Sequence, residues 1–284
     1  MPITPLVIDI ARGSFSDGPG VRTTVFFKGC PLKCPWCHNP ESQRYEKEIM
    51  LFPEMCIGCG NCKKEQPCYT LARREVGKAY SPGELALELI KDKSYFNTSG
   101  GGVTFSGGEA LSFIDYLSEV AMMLKRKGVH IAIQTSGFFD YEAFDAKLMG
   151  NIDLIFYDFK IMDEKRHQTL LGQSNRVILE NFKKIIASGI TVIPRIPLIP
   201  NYVATEKNLE AIADFFNGHD VRACEFLYYN PGFEDKLKRL GRKMNPHLPD
   251  KSVLPDKNRQ WISFFKSKYN QIASTAGSRA GLHS

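Results

Sequence analysis

Seven of the eight cysteines of this chain fall between Cys30 and Cys68, and only Cys224 stands apart. Cys30, Cys34 and Cys37 have the spacing C-x3-C-x2-C, and Pro31 and Pro35 stiffen the loop that carries them. Three thiolates set so closely can wrap one small inorganic cluster. Zinc would want a fourth protein ligand, and His38, adjacent to Cys37, is poorly set to coordinate together with it. Three cysteines with no fourth instead leave one iron of a 4Fe–4S cube open to an outside ligand. A structural zinc loop is the alternative reading. Cys56, Cys59 and Cys62 have bacterial-ferredoxin spacing, with Gly58 and Gly60 allowing a tight wrap. Cys68 follows six positions later, where that pattern expects four and then a proline. This second group reads as one auxiliary 4Fe–4S site, with four-cysteine zinc as the alternative.

The chain has 284 residues, 43% hydrophobic and 24% charged. That is ordinary globular composition and excludes a disordered tail protein, a coiled coil or a collagen-like chain. A formal net charge of +6 is modest and scattered, so nucleic acid is not an expected partner. No stretch approaches the roughly 18 consecutive apolar residues of a membrane span, and the N-terminus lacks a secretory pattern. A cytoplasmic protein, off the membrane, is expected, because a reducing compartment keeps such cysteines free for metal.

The elements that must position these thiols alternate strand, break, helix. Strands are expected at VRTTVFF (residues 21–27), in GGGVTFSGGE (100–109), at VHIAIQTS (129–136), DLIFYDF (153–159), 191–199 and ACEFLYY (223–229). Between them, apolar residues at three- and four-residue spacing predict helices over 113–127, 141–149, 175–187 and 205–216. Ser81-Pro82-Gly83-Glu84 has the form of a helix start with a capping box. Six strands alternating with helices point to a parallel α/β fold with right-handed crossovers. Prolines 194, 197 and 200 suggest that the chain leaves the sheet soon after Arg195. Residues 163–173 read as a polar loop at the mouth, and a helix around 259–269 is expected to close one end of the core. Residues 272–284 read as a disordered tail. The barrel is expected over 1–49 and 80–284, with 50–79 as an inserted cysteine-rich module.

The segment RGSFSDGPGVRTTVFFKGCPLKCPWCHNPES (residues 12–42) resembles the signature of radical S-adenosylmethionine (SAM) enzymes, specifically the glycyl-radical-enzyme activating enzymes. The C-x3-C-x-aromatic-C core, here with Trp36, is its most specific part, and the likeness runs over about residues 7–241. It implies a partial (β/α)6 TIM-like barrel with a small ferredoxin-like insert. It also implies an open iron chelated by the amine and carboxylate of SAM. Ser106-Gly107-Gly108-Glu109 resembles the SAM-binding glycine-glycine-glutamate segment, in which the acid accepts a hydrogen bond from the methionyl amine. At the end of a parallel strand such a turn is well placed for ligand. Asp158 and Lys160 match the family's Asp-x-Lys, which implies a cation or substrate-loop contact for Asp158 and a SAM contact for Lys160. Arg195 matches an arginine that approaches the SAM carboxylate. Asn175 and Asn181 also fall on family-like positions, with a helix cap as the other reading of Asn175.

Two positions depart from the pattern. Gln134 stands where relatives carry Asp or Glu, and a neutral amide is a weaker cation ligand, although Thr135 remains. Asn230 stands where a histidine is usual near the adenosyl end, so the positioning that ring supplies to the cofactor is expected from Asn230 or from Tyr229. The resemblance implies reductive cleavage of SAM to a 5′-deoxyadenosyl radical that takes a hydrogen from a glycine of a partner glycyl-radical enzyme. A flavodoxin or ferredoxin-like protein is the implied electron donor, and the chain is expected to act as a monomer. Rival readings are a radical SAM enzyme acting on a small molecule or peptide, a non-catalytic iron–sulfur carrier or zinc-clipped binding protein, and a family member that has lost activity.

Overall fold

The structure, a computed structural model, describes residues 4–64, 66–249 and 253–269; the 272–284 tail lies outside them. Its strands are β1 (Leu6–Ser14), β2 (Arg22–Lys28), β3 (Glu48–Leu51), β4 (Arg73–Val76), β5 (Lys78–Ala79), β6 (Gly102–Gly107), β7 (His130–Thr135), β8 (Leu154–Asp158), β9 (Val192–Leu198) and β10 (Glu225–Tyr228). Eight form one sheet in the order β10-β9-β8-β7-β6-β2-β1-β5. From β2 to β10 every neighbouring pair is parallel. These six parallel strands are the expected partial barrel. The sequence reading lacked β1, which pairs antiparallel with β2 and with β5.

The helices are α1 (Pro82–Ile90), α2 (Lys93–Ser99), α3 (Ile114–Lys125), α4 (Tyr141–Lys147), α5 (Glu164–Leu171), α6 (Arg176–Ser188), α7 (Glu206–Asn217), α8 (Phe233–Arg239) and α9 (Pro255–Lys268). The Ser81–Glu84 capping box is formed at α1, with Pro82 at its start. The outward residues of the parallel strands are large and apolar and meet the helices. Phe27 packs with Phe105, Phe113 and Tyr116, while Tyr157 and Phe159 pack on Phe182 of α6. Phe216 of α7 meets Phe265 of α9, which also packs on Phe226 of β10. Burying such aromatic rings contributes most of the drive that holds helix to sheet. The inner face is different: Arg22, Thr24, Thr104 and Ser106 alternate with that apolar row and face inward.

Three expectations are corrected. Most of residues 163–173 is helical, as α5 over Glu164–Leu171: Asp163 caps it by accepting from the Arg166 N–H, and His167 and Leu171 are buried beneath an otherwise polar helix. The chain continues in β9 through Leu198. Phe159 N donates to Arg195 O, so odd-numbered residues of β9 face β8 and even-numbered ones face β10. Pro194 therefore lacks its N–H where β10 has not begun, and Pro197 lacks its own where β8 has ended. Asn175 does not cap α6 with its side chain; its amide donates to the carbonyls of Ile161 and Met162 and ties down the connection after β8.

Residues 48–76 carry a separate two-stranded sheet, β3 with β4. It has a small core of Met50, Phe52 and Val76, which rests on Ile8 and Leu240.

Candidate functional site at the carboxyl rim of the parallel strands

Most candidate residues of the barrel follow, or end, one of the parallel strands at its C-terminal end, where ligands of such sheets bind, while Arg195 lies within β9. Cys30 lies two residues past β2. Gly107 ends β6, Thr135 ends β7, Asp158 ends β8, and Arg195 lies beside Asp158 in register. Asn230 follows β10. Parallel pairing thus gathers residues that are far apart in sequence.

The loop holding Cys30, Cys34 and Cys37 is pinned by backbone bonds. Gly29 N donates to Ser42 O at 2.7 Å, Lys33 N to Leu171 O at 2.9 Å and Cys37 N to Cys34 O at 3.2 Å. The Gln43 amide donates to Cys34 O at 3.0 Å. All three thiols are half-buried. Burial and the neighbouring thiols and Glu109 push the Cys30 thiol well up. Burial pushes Cys34 to about 12 and Cys37 to about 11. Left alone, these thiols stay protonated, and three thiolates here need strong positive charge among them. A cationic iron–sulfur cluster fits that donor set, because soft thiolates hold such clusters and ligation displaces their protons. Among the described residues no three His, Cys, Asp or Glu side chains gather tightly enough to hold one metal ion. A cube does not need that convergence, since it takes one thiolate at each of three irons. His38 stacks its ring on Phe233 at 5.8 Å. Trp36 is buried against Tyr202, with ring centres 5.0 Å apart, and so packs the loop onto the chain after β9.

The glycine turn lies against this loop. Gly108 N donates to Phe27 O at 2.9 Å and Glu109 N to Gly29 O at 2.8 Å. A Cβ on Gly108 would stand 2.2 Å from Gly29 O, so only glycine fits there. Gly108→Ala is expected to displace the Cys30 loop. It should cost about 2 kcal/mol of stability and raise the SAM concentration needed for half-maximal turnover, read by urea unfolding and SAM titration.

The Glu109 carboxylate is fully buried and accepts four hydrogen bonds. Leu111 N and Thr135 Oγ1 donate to Oε1 at 3.2 and 2.8 Å, and Ser136 N and Oγ donate to Oε2 at 2.8 and 2.6 Å. A carboxylate offers about four such positions, so all are taken within the chain. Burial still pushes this carboxyl up, against the four donors. Glu109 therefore fastens the end of β7 to the glycine turn.

Asp158, Lys160 and Arg195 form one cluster. Arg195 Nε and Nη2 lie 3.0 and 2.9 Å from Asp158 Oδ1, and Lys160 Nζ lies 3.3 Å from Oδ2. Burial opposes ionisation of Asp158, but Arg195 and Lys160 outweigh it and hold the carboxyl below its ordinary value. Lys160 is held up: burial lowers it, while Asp158, Cys34 and Cys30 raise it more. Lys160 thus joins the cysteine loop to this cluster, leaving one carboxylate against two cations and a local surplus suited to an anionic ligand group.

Gln134 is spent on internal contacts: its amide donates to Asp17 Oδ1 at 2.9 Å and accepts from Ser106 Oγ at 2.7 Å. Asn230 is exposed, and its Oδ1 accepts from Gly232 N at the start of α8. Tyr229 is buried and donates to Pro249 O at 2.6 Å. Tyr229 also packs edge-on to Phe233, the ring on which His38 stacks.

Sequence reasoning missed a clamp on residues 39–48. Lys28, fully buried, donates to Glu41 O at 2.6 Å and pairs with Glu48 at 2.7 Å. Arg242 pairs with Glu48 and donates to Pro40 O, while Lys236 holds Glu41 and Asn39. A lysine closing the apolar run TTVFFK was the available signal, because a buried ammonium requires partners. Burial opposes ionisation of Glu48, but Lys28 and Arg242 hold its carboxyl below the usual range. Its contribution is thus present above about pH 4.3, the unfolded value, and is lost as pH falls through the lower folded value. Glu48→Gln is expected to cost about 3 kcal/mol at pH 7, with the urea midpoints of variant and parent converging in acid.

Cys56, Cys59 and Cys62 are exposed, and Cys68 is half-buried. Gly58 and Gly60 have φ of 68° and 75°, the left-handed geometry a tight wrap requires. Backbone N–H of Arg73, followed by the Thr70 side chain, holds the Cys68 thiol below its ordinary value. Cys224 is buried away from both groups, and burial pushes it to about 12.

Residues 24–216 match the model of the Radical SAM superfamily, to which the chain belongs. Among curated proteins, it is 35% identical to the benzylsuccinate synthase activating enzyme of Thauera aromatica, over 84% of this chain and 82% of that one. It is 36% identical to the trans-4-hydroxy-L-proline dehydratase activating enzyme of Clostridioides difficile (85% and 89%). It is 35% identical to the pyruvate formate-lyase 2-activating enzyme of Escherichia coli K12 (83% and 81%). Within the superfamily these relatives set it among the glycyl-radical enzyme activating enzymes. A radical SAM methyltransferase from Sphaerobacter thermophilus shares the fold, with a TM-score of 0.56 and 12% identity over 94% of this chain and 75% of that one.

Proposed function

We propose that Cys30, Cys34 and Cys37 hold a 4Fe–4S cluster at three corners, in a chain whose activity is that of its group. When bound, the cluster and SAM supply one-electron reductive cleavage to a 5′-deoxyadenosyl radical, which takes a hydrogen atom from a glycine of a partner glycyl-radical enzyme. The observation that supports the site assignment is that three half-buried thiols share one loop at the strand rim, with Lys160 close enough to be held up by Asp158 and then by Cys34 and Cys30.

The chain's own residues bind, orient and exclude. Gly107 and Gly108 let the ligand approach the backbone closely, and Glu109 holds Thr135 and Ser136 rigidly beside it. Lys160 and Arg195, balanced by Asp158, receive the methionyl carboxylate. Trp36 keeps the cysteine loop packed on Tyr202 and limits water. Asn230 and Gln134 take structural places in this assignment, at the start of α8 and against Asp17. Geometric confinement of this kind keeps a reactive group on its target.

Residues 1–49 and 80–284 serve as the catalytic barrel, and 50–79 as a module whose Cys56, Cys59, Cys62 and Cys68 hold one auxiliary 4Fe–4S cluster. The separate small sheet of β3 with β4, over residues 48–76, and its small core support a module in this region. A flavodoxin or ferredoxin-like protein supplies electrons to the chain, which acts as a monomer in the cytoplasm. No described helix is long and apolar enough to cross a membrane. The test is anaerobic incubation of the reduced, iron-loaded chain with SAM and a candidate glycyl-radical enzyme. A stored organic radical doublet in the partner's electron paramagnetic resonance spectrum is expected; its absence from every candidate partner, with SAM cleaved normally, would turn the assignment toward a small-molecule target.

A further inference from the structure

The surface around the second cysteine group is unusual for this chain. Ile57, Tyr69 and Leu71 are 69%, 78% and 57% exposed, beside the exposed Cys56, Cys59 and Cys62. Apolar side chains gathered on one small module mark a contact surface more often than isolated ones do. Lys63, Lys64 and Arg73 border them, are exposed, and have no carboxylate within ion-pair reach among the described residues. Among the described residues, the neighbouring acids Glu54 and Glu75 pair with Arg239 and Lys47. A hollow of about 550 Å³, open to solvent, runs from Cys68 past Leu71 to Arg73. The module thus carries exposed apolar and cationic side chains in the same short segment as its four thiols.

We propose that this face docks an acidic one-electron carrier protein, one whose prosthetic group is ringed by carboxylates. Ile57, Tyr69 and Leu71 supply the desolvated centre, and Lys63, Lys64 and Arg73 the steering border. Small, salt-sensitive contacts of this kind suit redox partners that must associate and separate at each turnover. One electron leaves the carrier's reduced group and enters the thiolate-held centre, with no bond made or broken and no proton needed. The inference rests on the iron–sulfur reading of the module, but docking can be measured apart from catalysis.

The probe is an acidic flavodoxin, and the variant is Lys63→Glu/Lys64→Glu/Arg73→Glu in the full iron-loaded chain. Binding of oxidised flavodoxin is measured by calorimetry at low and high salt. Reduction by reduced flavodoxin is compared with reduction by photoreduced deazaflavin. The expected result is weakening of flavodoxin binding and reduction by about tenfold or more at low salt, with the deazaflavin rate kept within about twofold. Unchanged flavodoxin binding would overturn the proposal. Should the triple variant lose both rates alike, Tyr69→Ala decides: selective loss of flavodoxin binding supports the face, and unchanged binding overturns it. Failure of the parent to cleave SAM would instead strike the proposed function and leave the binding result standing.

Discussion

Cys34→Ala is expected to reduce 5′-deoxyadenosine formation to background while leaving the fold in place. The loop around Cys34 is held by backbone and by Gln43, with Cys34 contributing its carbonyl, which alanine keeps. The lost group is therefore one thiol and nothing else of the scaffold. Two remaining thiols cannot hold three corners, so bound iron should fall from about eight to about four per chain, the remainder at the insert. Iron and sulfide counts, deoxyadenosine yield and a urea midpoint close to that of the parent check this outcome. Retained SAM cleavage would remove Cys34 from the site.

The second large effect is expected at Glu109. Alanine there strips the acceptor from two backbone N–H groups and two hydroxyls, all at buried positions. Each unmet buried group costs about 1–3 kcal/mol. The hydroxyls can turn to other partners, so a net loss of about 4 kcal/mol is expected. Against a typical stability of about 5–15 kcal/mol, Glu109→Ala should express poorly and unfold at much lower urea. Glu109→Gln keeps one acceptor oxygen, and should fold with a loosened β7 end and a raised KM for SAM. A stable Glu109→Ala with unchanged KM would show that the carboxylate fastens nothing.

What the sequence revealed and what it hid follow from the range of each interaction. The Cys30 loop and the capping box at Ser81 are local, and their spacing alone betrays them, whereas the glycine turn stood out through its resemblance to the family's segment. Asp158 and Arg195 were singled out only through a family pattern, and their pairing with each other stayed hidden because it needs β8 and β9 side by side in register. Helix α5 was hidden by its composition: only His167 and Leu171 are buried, so the apolar period is too sparse to read. The prolines of β9 misled because each falls opposite a gap in the neighbouring strand, a fact of register and not of residue type. Gln134 looked like a weakened cation ligand, and its partner is Asp17, 117 positions earlier. Of the four donors to Glu109, the Leu111 N–H is local, while those of Thr135 and Ser136 reach it only once β6 and β7 are paired.

The central claim meets its most direct test in anaerobic reconstitution of the whole chain, followed by reduction and addition of SAM. About eight irons per chain, with 5′-deoxyadenosine and methionine appearing in equal amounts, is the result expected from a cluster whose fourth corner accepts SAM. Zinc bound at Cys30, Cys34 and Cys37, or a fully loaded and reduced chain that leaves SAM intact, would contradict it.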